Sequence, residues 1–467
     1  MAAATAKRDI RRVFIANRGE IALRIIRACK RLGVETVLGV SEADQDSMGA
    51  RLADDVVLLG PPAATQSYLV IDKLVEAALA SQCDAVHPGY GFLSERSEFA
   101  RACEDAGIKF VGPSPQAIDD MGDKITASEI AGKAGVPRVP GSGALSDAKE
   151  ARAFAADIGY PVLVKATAGG GGRGMRVVMT DAEMATAFKE AANEAQTAFG
   201  NGTLFVEKYI QHARHVEIQV ACDEHGNAVH LGERDCSTQR RHQKLIEEAP
   251  SPKLTEKVRA EMGACAVKLS LNADYVGMGT VEFVVDNDTG DYYFLEMNTR
   301  IQVEHPVTEM ICGYDLVAQQ IRVAGGLPLS FTQEDVTLTG HAIECRINAE
   351  DAARGFAPSP GTLTGWNAPE GKGIRMDSHC HAGYTIPPYY DSLIGKLIVH
   401  AEDRTAAIAL MRKALADFEV EGIKTTIPFH AQVLAHEDFA RGEVTTKWVE
   451  DVFLADEAST EKEQAYG

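Results

Sequence analysis

The sequence lacks the segments that mark membrane and secreted proteins. No uninterrupted apolar run would span a bilayer, and the first residues, Met-Ala-Ala-Ala-Thr-Ala-Lys-Arg, lack the apolar core of a signal peptide. Nine cysteines are scattered along the chain without a Cys-x-x-Cys pair, which argues against a disulfide or zinc framework and favours reduced structural thiols. We therefore expect a cytoplasmic protein that does not contact membranes.

Two common nucleotide-binding motifs are also missing. Only Gly19 stands at the first strand-to-helix turn, so the Gly-x-Gly-x-x-Gly fingerprint of dinucleotide-binding folds is absent. A later glycine run is not followed by Gly-Lys-Ser/Thr, which excludes a Walker loop. The formal net charge of −20 argues against a nucleic-acid partner, although a local basic cluster can still bind phosphate.

What the sequence does contain is a long alternation of strand-like and helix-like segments. Its 467 residues, 45% of them hydrophobic, predict two to four domains. An apolar run at Val13, helical spacing from Ile21 to Leu32 and a second strand at Thr36 form a βαβ start, which is typical of a parallel sheet. We expect this first α/β domain to end near Pro113.

A glycine-rich segment interrupts the strands that follow. Glycine fills every position from Gly169 to Gly174 except Arg173, and apolar strands flank the segment at Val162 and Arg176. Without Cβ atoms, the backbone N–H groups of such a flap can approach an anion closely. The alternative of a disordered linker is weaker because linkers usually carry Ser and Pro.

The most informative stretch places polar side chains at strict period two. This pattern predicts a β-strand with one polar face formed by Glu296, Asn298, Arg300, Gln302 and Glu304. A solvated outer face would show the same alternation. Eight steps of about 3.3 Å separate the ends, so they should serve two chemistries. We expect a metal site at the first end and a small oxyanion, held and deprotonated, at the second.

The segment before this stretch supports the metal site. Residues 286–291, Asp-Asn-Asp-Thr-Gly-Asp, predict a hairpin turn that would place Glu282 opposite Glu296. Two carboxylates in that position repel each other unless a cation lies between them. Together with Asn298, this all-oxygen set suits Mg²⁺ or Mn²⁺.

Three other patterns leave two interpretations open. The basic run from Arg234 to Lys244 fits a solvated loop or a polyanion site. Glu207 and Lys208, at the end of an apolar strand, fit a purine contact or an ion pair. Arg346 interrupts an apolar strand, where a lone arginine usually forms a salt bridge.

Taken together, these segments resemble biotin carboxylase, the ATP-grasp component of biotin-dependent carboxylases, over roughly residues 10 to 453. The resemblance rests on seven motifs in order: Ile15-Ala-Asn-Arg-Gly-Glu-Ile-Ala, His87-Pro-Gly-Tyr-Gly-Phe-Leu-Ser-Glu, Met121-Gly-Asp-Lys, Lys165 with Gly169–Met175, Arg234-Asp-Cys-Ser through Lys244, Glu296-Met-Asn-Thr-Arg-Ile-Gln-Val-Glu-His, and Tyr389-Tyr-Asp-Ser-Leu-Ile-Gly-Lys396.

The resemblance implies an α/β and α+β fold in three domains. An N-terminal parallel-sheet (pre-ATP-grasp) domain would span residues 8–122, and an ATP-grasp domain residues 123–334, with a flexible glycine-rich lid at about 138–208. A C-terminal mixed α/β domain would span 335–454, followed by a disordered tail at 455–467.

The implied reaction is the ATP- and bicarbonate-dependent carboxylation of biotin through carboxyphosphate. Catalytic roles fall to Glu304, Arg300, Arg346 and Lys244, with Glu304 as the base and Arg346 stabilising the biotin enolate. Bicarbonate and biotin would contact Arg300, Gln302, Val303, Arg346 and Tyr90. Metal would bind Glu282, Glu296 and Asn298. The nucleotide would contact Lys124, Lys165, Gly170, Gly171, Gly172, Met175, Glu207, Lys208, His215, Gln239, His242, Lys244, Glu282 and Glu296.

The resemblance also implies partners. No Met-Lys dipeptide occurs, so the biotin-bearing Ala-Met-Lys-Met signature is absent, and no carboxyltransferase region follows. We therefore expect a homodimeric subunit or excised domain that works with a biotin carboxyl carrier protein and a carboxyltransferase. Acetyl-CoA is the expected final acceptor, with pyruvate or propionyl-CoA as alternatives.

Two other functions fit an ATP-grasp fold. One is a ligase that phosphorylates a carboxylate and adds an amine, which Arg346 and the set Arg300, Gln302 and Glu304 disfavour. The other is an ATP-binding regulatory protein without catalysis, which is disfavoured because the metal ligands and the base are retained.

Overall fold

The computed structural model describes residues 10–167, 174–199 and 201–455. Within the described residues the chain forms two compact units. The first is built from Met1–Val136, Arg214–Phe283 and Leu295–Gly467, and the second from Pro137–Ala213 and Val284–Phe294. Residues 8–9, the central glycines Gly170, Gly171 and Gly172, and residues 456–467 of the expected tail lie outside the description.

The N-terminal part of the first unit contains the parallel sheet that the βαβ start predicts. Its elements are β1 (Arg12–Ile15), α1 (Gly19–Leu32), β2 (Glu35–Ser41), α2 (Met48–Leu52), β3 (Asp55–Gly60), α3 (Ile71–Ala80), β4 (Ala85–His87), α4 (Ser97–Asp105), β5 (Lys109–Phe110), α5 (Pro115–Gly122) and α6 (Lys124–Lys133). The strand order is β3-β2-β1-β4-β5, and every pair is parallel. Helix α1 ends where predicted, because Gly33 adopts φ 69° and caps the helix through its backbone N–H.

The second unit contains a small antiparallel sheet. Its elements are α7 (Ala148–Ile158), β6 (Val162–Ala166), β7 (Met175–Val178), α8 (Asp181–Phe199) and β8 (Leu204–Lys208). The order is β7-β6-β8, and β6 pairs antiparallel with both neighbours. The two strands predicted to flank the glycine segment are therefore confirmed as neighbours in one sheet.

An eight-stranded sheet forms the centre of the first unit. The remaining elements are β9 (Ala213–Cys222), β10 (Ala228–Arg240), β11 (Gln243–Ala249), α9 (Glu256–Asn272), β12 (Gly277–Asp286), β13 (Tyr292–Asn298), α10 (His305–Cys312), α11 (Leu316–Ala324), β14 (His341–Asn348), β15 (Glu350–Asp351), β16 (Ala357–Pro358), β17 (Gly361–Thr362), β18 (Gly365–Asn367), β19 (Ile374–Ser378), β20 (Thr385–Ile386), β21 (Leu393–Ala401), α12 (Arg404–Ala416), β22 (Glu419–Glu421), α13 (Ile427–Val433) and α14 (Glu437–Arg441). The sheet order is β13-β12-β9-β10-β11-β14-β21-β19. Strand β14 follows residue 335 yet pairs with β11, so the sheet continues across the expected start of the C-terminal domain.

The prediction of one long polar strand is wrong beyond Asn298. Strand β13 ends at that residue, and the chain turns instead of continuing the ladder. The N–H of Thr299 donates to the Glu95 carboxylate, and Glu304 is the residue before α10, which has Pro306 in its first turn. A proline at this position favours a helix start. The period-two polarity therefore reflects an extended turn whose side chains contact several neighbours.

The basic run differs from the loop interpretation, since Arg234 to Arg240 lie in strand β10. Only Arg241 and His242 form a turn before β11, and both have positive φ values, 48° and 64°.

The eight-stranded sheet is unusual in burying many charged side chains. Glu217, Glu233, Glu247, Glu344 and Lys396 are each 0% exposed. Buried charges require partners, so this sheet must contain a network of ion pairs as well as an apolar core. Among the helices of the described residues, none has the length and apolar character needed to cross a membrane.

One such pairing gives a stability prediction. Glu248 lies 2.8 Å from His341 Nε2 and 2.6 Å from Arg404 Nε. Burial raises the pKa of Glu248, but His341 and Arg404 outweigh burial and lower that pKa from 4.5 to about 2. Because the folded-state pKa is lowered, the stabilisation is present above about pH 4.5 and is lost as the pH falls through about 2.

We expect Glu248→Gln to lower the free energy of unfolding at neutral pH by about 3 kcal/mol. Thermal unfolding followed from pH 7 to pH 2 should show a lower Tm and a weaker acid dependence. The exposed carboxylate of Asp417, paired only with Lys413, provides the control. If Asp417→Asn lowers Tm as much as Glu248→Gln does, the stabilising role of the buried pair is wrong.

Candidate functional site

The candidate site of the first unit is organised around the ammonium group of Lys244. Its Nζ lies 2.6 Å from Glu217, 2.7 Å from Glu304 and 3.0 Å from Glu282. Burial lowers the pKa of Lys244, but the carboxylates of Glu217 and Glu304 outweigh burial and hold that pKa well above its usual value. Lys244 is therefore protonated at neutral pH. A small anion could replace one of the carboxylates and form a charge-assisted hydrogen bond with this ammonium group.

The carboxylate of Glu304 joins Lys244 to a second cation. Its other oxygen accepts a hydrogen bond of 3.0 Å from Arg346, whose Nε donates to Glu247 at 2.6 Å. Burial raises the pKa of Glu304, but Lys244 and Arg346 outweigh it, so the pKa lies well below its usual value. Glu304 is thus ionised at neutral pH. Arg346 does form the salt bridge usual for a lone arginine, and its partners belong to the site.

Arg234 supports this cluster from within the sheet. Its Nε donates to Glu217 at 2.5 Å, and one terminal nitrogen donates to the Gln302 side chain at 2.8 Å. The remaining N–H groups donate to Gln219, Thr308 and Thr280 at 2.7, 3.0 and 3.1 Å. The fully buried guanidinium therefore fixes Glu217 and Gln302 in position.

The turn after β13 brings its polar side chains to the cluster in a different way from a strand. Arg300 Nε donates to Glu95 at 2.8 Å, and its terminal nitrogen donates to Asn298 Oδ1 at 2.9 Å. Gln302 Nε2 donates to Glu282 at 2.8 Å. Asn298, Arg300, Gln302 and Glu304 are thus linked through shared partners.

Val303 and Tyr90 are both connected to a second buried lysine, Lys396, the first directly and the second through Glu20. Lys396 Nζ donates to the Val303 carbonyl oxygen at 2.8 Å and lies 3.1 Å from Glu20. The hydroxyl of Tyr90 donates to the same Glu20 carboxylate. Lys396 therefore fixes the backbone of the turn just before Glu304.

The predicted metal ligands fit a divalent cation in part. The pKa of Glu296 is raised by burial and by the charges of Glu282 and Glu95, as expected for two carboxylates that repel each other. Glu282 also lies 2.8 Å from His215 Nε2. Asn298 donates its Nδ2 to Glu282 at 3.0 Å while its oxygen accepts from Arg300. Glu282 and Glu296 thus offer the oxygen donors that Mg²⁺ prefers, whereas the Asn298 oxygen is already engaged.

The other predicted nucleotide residues of the first unit lie around the same strands. Gln239 is paired with Lys244 across the β10–β11 hairpin, and His242 lies in its turn. Lys124 is the first residue of α6, and its charge lowers the raised pKa of Glu296. These positions agree with one charged surface, and their roles stay predictions.

The second unit holds the rest of the predicted nucleotide residues. Lys165 Nζ lies 2.6 Å from Glu207, on the neighbouring strand β8. Lys208 Nζ donates to the Gly159 carbonyl at 3.0 Å. Met175 begins β7. The Glu207–Lys208 segment therefore forms ion-pair and backbone contacts, while its purine contact stays a prediction.

Sequence reasoning missed five residues that position the site: Glu217, Arg234, Glu95, Lys396 and Glu20. Arg234, Lys396, Glu95 and Glu20 all lie within the seven motifs of the resemblance, but the sequence did not indicate a role for them. The alternation of Glu217 and Gln219 within an apolar strand was a further signal, because charges on a buried strand need partners. Glu95 and Glu20 contact the site from the parallel-sheet part of the chain, far away in sequence.

Three family models of known proteins match successive parts of the sequence. Residues 9–118 match the family model of the biotin carboxylase N-terminal domain, and residues 344–451 match that of the biotin carboxylase C-terminal domain. Residues 123–332 match the ATP binding domain of the carbamoyl-phosphate synthase L chain.

Individual relatives cover nearly the whole chain. Biotin carboxylase 1 of Bacillus subtilis is 54% identical over 94% of this chain and 98% of its own length. One pyruvate carboxylase subunit of Methanothermobacter thermautotrophicus is 52% identical over 94% of this chain and 89% of its own length. The biotin carboxylase domain dimer of Hydrogenobacter thermophilus 2-oxoglutarate carboxylase, solved with MgADP, ADP and bicarbonate, has a TM-score of 0.84 and 49% identity, covering 95% of this chain and 97% of that one.

The buried guanidinium under the cluster gives a second prediction. We expect Arg234→Met to lower the free energy of unfolding by about 3 kcal/mol, because it leaves buried polar partners unpaired. Thermal and urea unfolding would measure the change. Arg441→Met, which removes an exposed arginine paired with Glu437, is the control and should have a far smaller effect. Equal effects would contradict the structural role of Arg234.

Proposed function

Because the chain belongs to the biotin carboxylase family of ATP-dependent carboxylating ligases, we propose that it is the biotin carboxylase subunit of an acetyl-CoA carboxylase. The family membership confirms the resemblance seen in the sequence. The choice of acetyl-CoA is supported by relatives named simply biotin carboxylase, such as that of Bacillus subtilis. Pyruvate is the first alternative, since a relative at 52% identity belongs to a pyruvate carboxylase, and propionyl-CoA is the second.

The observation that carries the chemistry is the chain of contacts from Lys244 through Glu304 to Arg346. In the first step, Lys244, Arg300, Gln302 and the Val303 backbone hold bicarbonate. Glu304 takes the proton of bicarbonate while a bicarbonate oxygen forms a bond to the γ-phosphorus of ATP. The bond from that phosphorus to ADP breaks, giving carboxyphosphate and ADP.

The low pKa of Glu304 has a direct bearing on its role as base. Lys244 and Arg346 hold that pKa down in the absence of bicarbonate. Bicarbonate bound to Lys244 adds a negative charge that offsets this ammonium, so the proton affinity of Glu304 rises when substrate arrives. Glu304 is therefore a stronger base when bicarbonate is bound than when it is not.

Biotin is carboxylated in the second step. Carboxyphosphate decomposes to CO₂ and phosphate, and phosphate takes the N1 proton of biotin. The Arg346 guanidinium then stabilises the negative oxygen of the biotin enolate, which is electrostatic stabilisation of the oxyanion-hole kind. Tyr90 donates to Glu20, which lies 3.1 Å from Lys396, and would contact biotin.

Metal and nucleotide would bind carboxylates and basic side chains of the first unit. Glu282 and Glu296 would hold Mg²⁺ or Mn²⁺, with Asn298 as the third ligand once its oxygen leaves Arg300. The bound metal supplies charge neutralisation at the transferred phosphate, which is the main need of phosphoryl transfer. In the first unit, the nucleotide would contact Lys124, His215, Gln239 and His242.

The expected partners follow from the reaction. The biotin would be carried by a separate carrier protein or domain, and a carboxyltransferase would pass the carboxyl group to the acceptor. We propose a homodimer, supported by the dimer of the Hydrogenobacter thermophilus relative. A cytoplasmic location is supported by nine cysteines scattered without a Cys-x-x-Cys pair, a pattern that favours reduced thiols.

Steady-state ADP release tests the proposed function. Turnover should require bicarbonate and rise on addition of free biotin or biotinylated carrier. Turnover indifferent to both would contradict it, and ATP binding without turnover would favour the regulatory alternative. Mass spectrometry of proteins that copurify with the chain would identify the carboxyltransferase and hence the acceptor.

Glu304→Gln tests the base. We expect a fall of about 10²–10⁴-fold in bicarbonate-dependent ADP release, which is typical of a lost general base, with little change in the Kd for ATP. Isothermal titration with ATP and a coupled ADP assay measure the two quantities. Glu233→Gln makes the same exchange at a buried carboxylate paired with Arg259 and is the matched control. Unchanged turnover in Glu304→Gln would remove this residue from the base role.

Arg346→Ala tests the division of labour between the two steps. We expect biotin carboxylation to fall by about 10²–10³-fold, as for loss of an oxyanion-stabilising donor, and bicarbonate-dependent ATP cleavage without biotin to fall less. The control is Arg404→Ala, which removes a partly buried arginine of the same unit that contacts Glu248. Equal loss of both activities in Arg346→Ala would contradict the assignment.

A further inference from the structure

Two buried carboxyl groups face each other behind the reactive arginine. Glu247 of β11 and Glu344 of β14 are directly paired across the antiparallel strands. Both side chains are 0% exposed. Side chains directly opposite each other have Cβ atoms about 4.5–5.5 Å apart, so two ionised carboxylates here would repel strongly.

The hydrogen-bond partners of the pair are incomplete. Glu247 Oε1 accepts the Arg346 Nε–H at 2.6 Å, whereas its Oε2 has no partner among the residues that the structure describes. Within the same described residues, neither oxygen of Glu344 has a partner. A buried ionised carboxylate without a partner is costly, and a protonated carboxyl gains an O–H donor. Glu247, directly across the strand pair, has an Oε2 that could accept such a bond.

Four charged groups act on Glu344. Lys396 of β21, Arg346 of β14 itself and Glu304 before α10 act on it together with Glu247. Burial is the largest effect and raises the pKa of Glu344 well above its usual value, since the cations Lys396 and Arg346 offset it only in part.

Helix α10 packs on β14 and carries His305 and the buried Glu309, and Glu309 is paired with Arg24 and Arg375. His305, the first residue of α10, has a pKa well below its usual value because of burial and nearby cations, so it is neutral. Helix α12 also packs on β14, and its buried residues are the uncharged Ala407, Met411, Ala414 and Leu415. Burial also raises the pKa of Glu247, to about 7, against the opposing charge of Arg346.

We propose that Glu344 and Glu247 share one proton across strands β11 and β14, and that this carboxyl–carboxylate pair positions Arg346. The Glu344 O–H donates to Glu247 Oε2, which leaves Glu247 anionic and able to hold the Arg346 Nε–H. The role toward biotin rests on the function proposed above. When Glu304 takes the proton of bicarbonate, it loses its negative charge and weakens its bond to Arg346. Glu247 then remains the anchor about which the guanidinium reaches the biotin oxygen.

Infrared spectroscopy of the full-length protein tests the proton itself. The wild-type protein at neutral pH should show the carbonyl stretch of a buried protonated carboxyl, with a small shift in D₂O. Glu344→Gln should remove this band, and Glu247→Gln should shift its frequency because the charged carboxylate acceptor is replaced by a neutral amide. A band unchanged in both variants would overturn the proposal, as would the absence of any such band in the wild type. The wild-type spectrum and the Glu247→Gln variant suffice if Glu344→Gln fails to fold.

Kinetics test the positioning role. Glu247→Gln should raise the KM for free biotin about tenfold or more, the effect of losing a charge-assisted hydrogen bond, with the KM for bicarbonate nearly unchanged. In the wild type, kcat/KM for biotin should fall at alkaline pH as the shared proton is lost. Glu344→Gln, which keeps a neutral donor, should abolish this fall.

Glu248→Gln is the matched control, since Glu248 is the next residue on β11 and pairs with His341 and Arg404 instead. It should lower Tm and leave the pH profile for biotin unchanged. An alkaline limb that persists in Glu344→Gln would overturn the positioning role. If the wild type shows no biotin-dependent turnover, the proposed function fails, while the infrared experiment still reports on the proton.

Discussion

The site depends on the placement of cations among buried carboxylates within one β-sheet. Lys244 contacts three carboxylates, and Glu304 joins it to Arg346. A buried charge is tolerated only when partners surround it, so each member of the cluster depends on the others for its ionisation and position. Under the proposed function, bicarbonate would exchange partners with groups that are already charged and fixed, which would reduce reorganisation during the reaction.

The spacing of apolar residues and the positions of helix-ending glycines were enough to predict several regular elements of the parallel-sheet part. The apolar positions of α1, with Gly33 to end it, define a helix that the structure contains almost residue for residue. Strands β1 and β2 include the predicted Val13 and Thr36. These predictions are correct because the local backbone preference of each segment agrees with the burial of its apolar side.

The site was harder to predict because its geometry comes from contacts between distant segments. The polar alternation after Asn298 fits both a strand and an extended turn, and only Glu95, Lys396 and the helix start at His305 decide between them. Pro306 was the one local sign of that helix start. The partners Glu217 and Arg234 were invisible as such, because a charged residue on a strand shows its ion pair only once the neighbouring strands are known.

The pairing of β11 with β14 also has a consequence for how the chain can be divided. The sheet runs without interruption from strands before residue 335 to strands after it. A fragment beginning at that residue would expose the backbone N–H and C=O groups of β14 along a full edge. Open edges of this kind recruit other strands, so such a fragment would be prone to aggregation. The strands after residue 335 and the strands before it therefore need each other to complete one sheet, and we expect either part alone to aggregate.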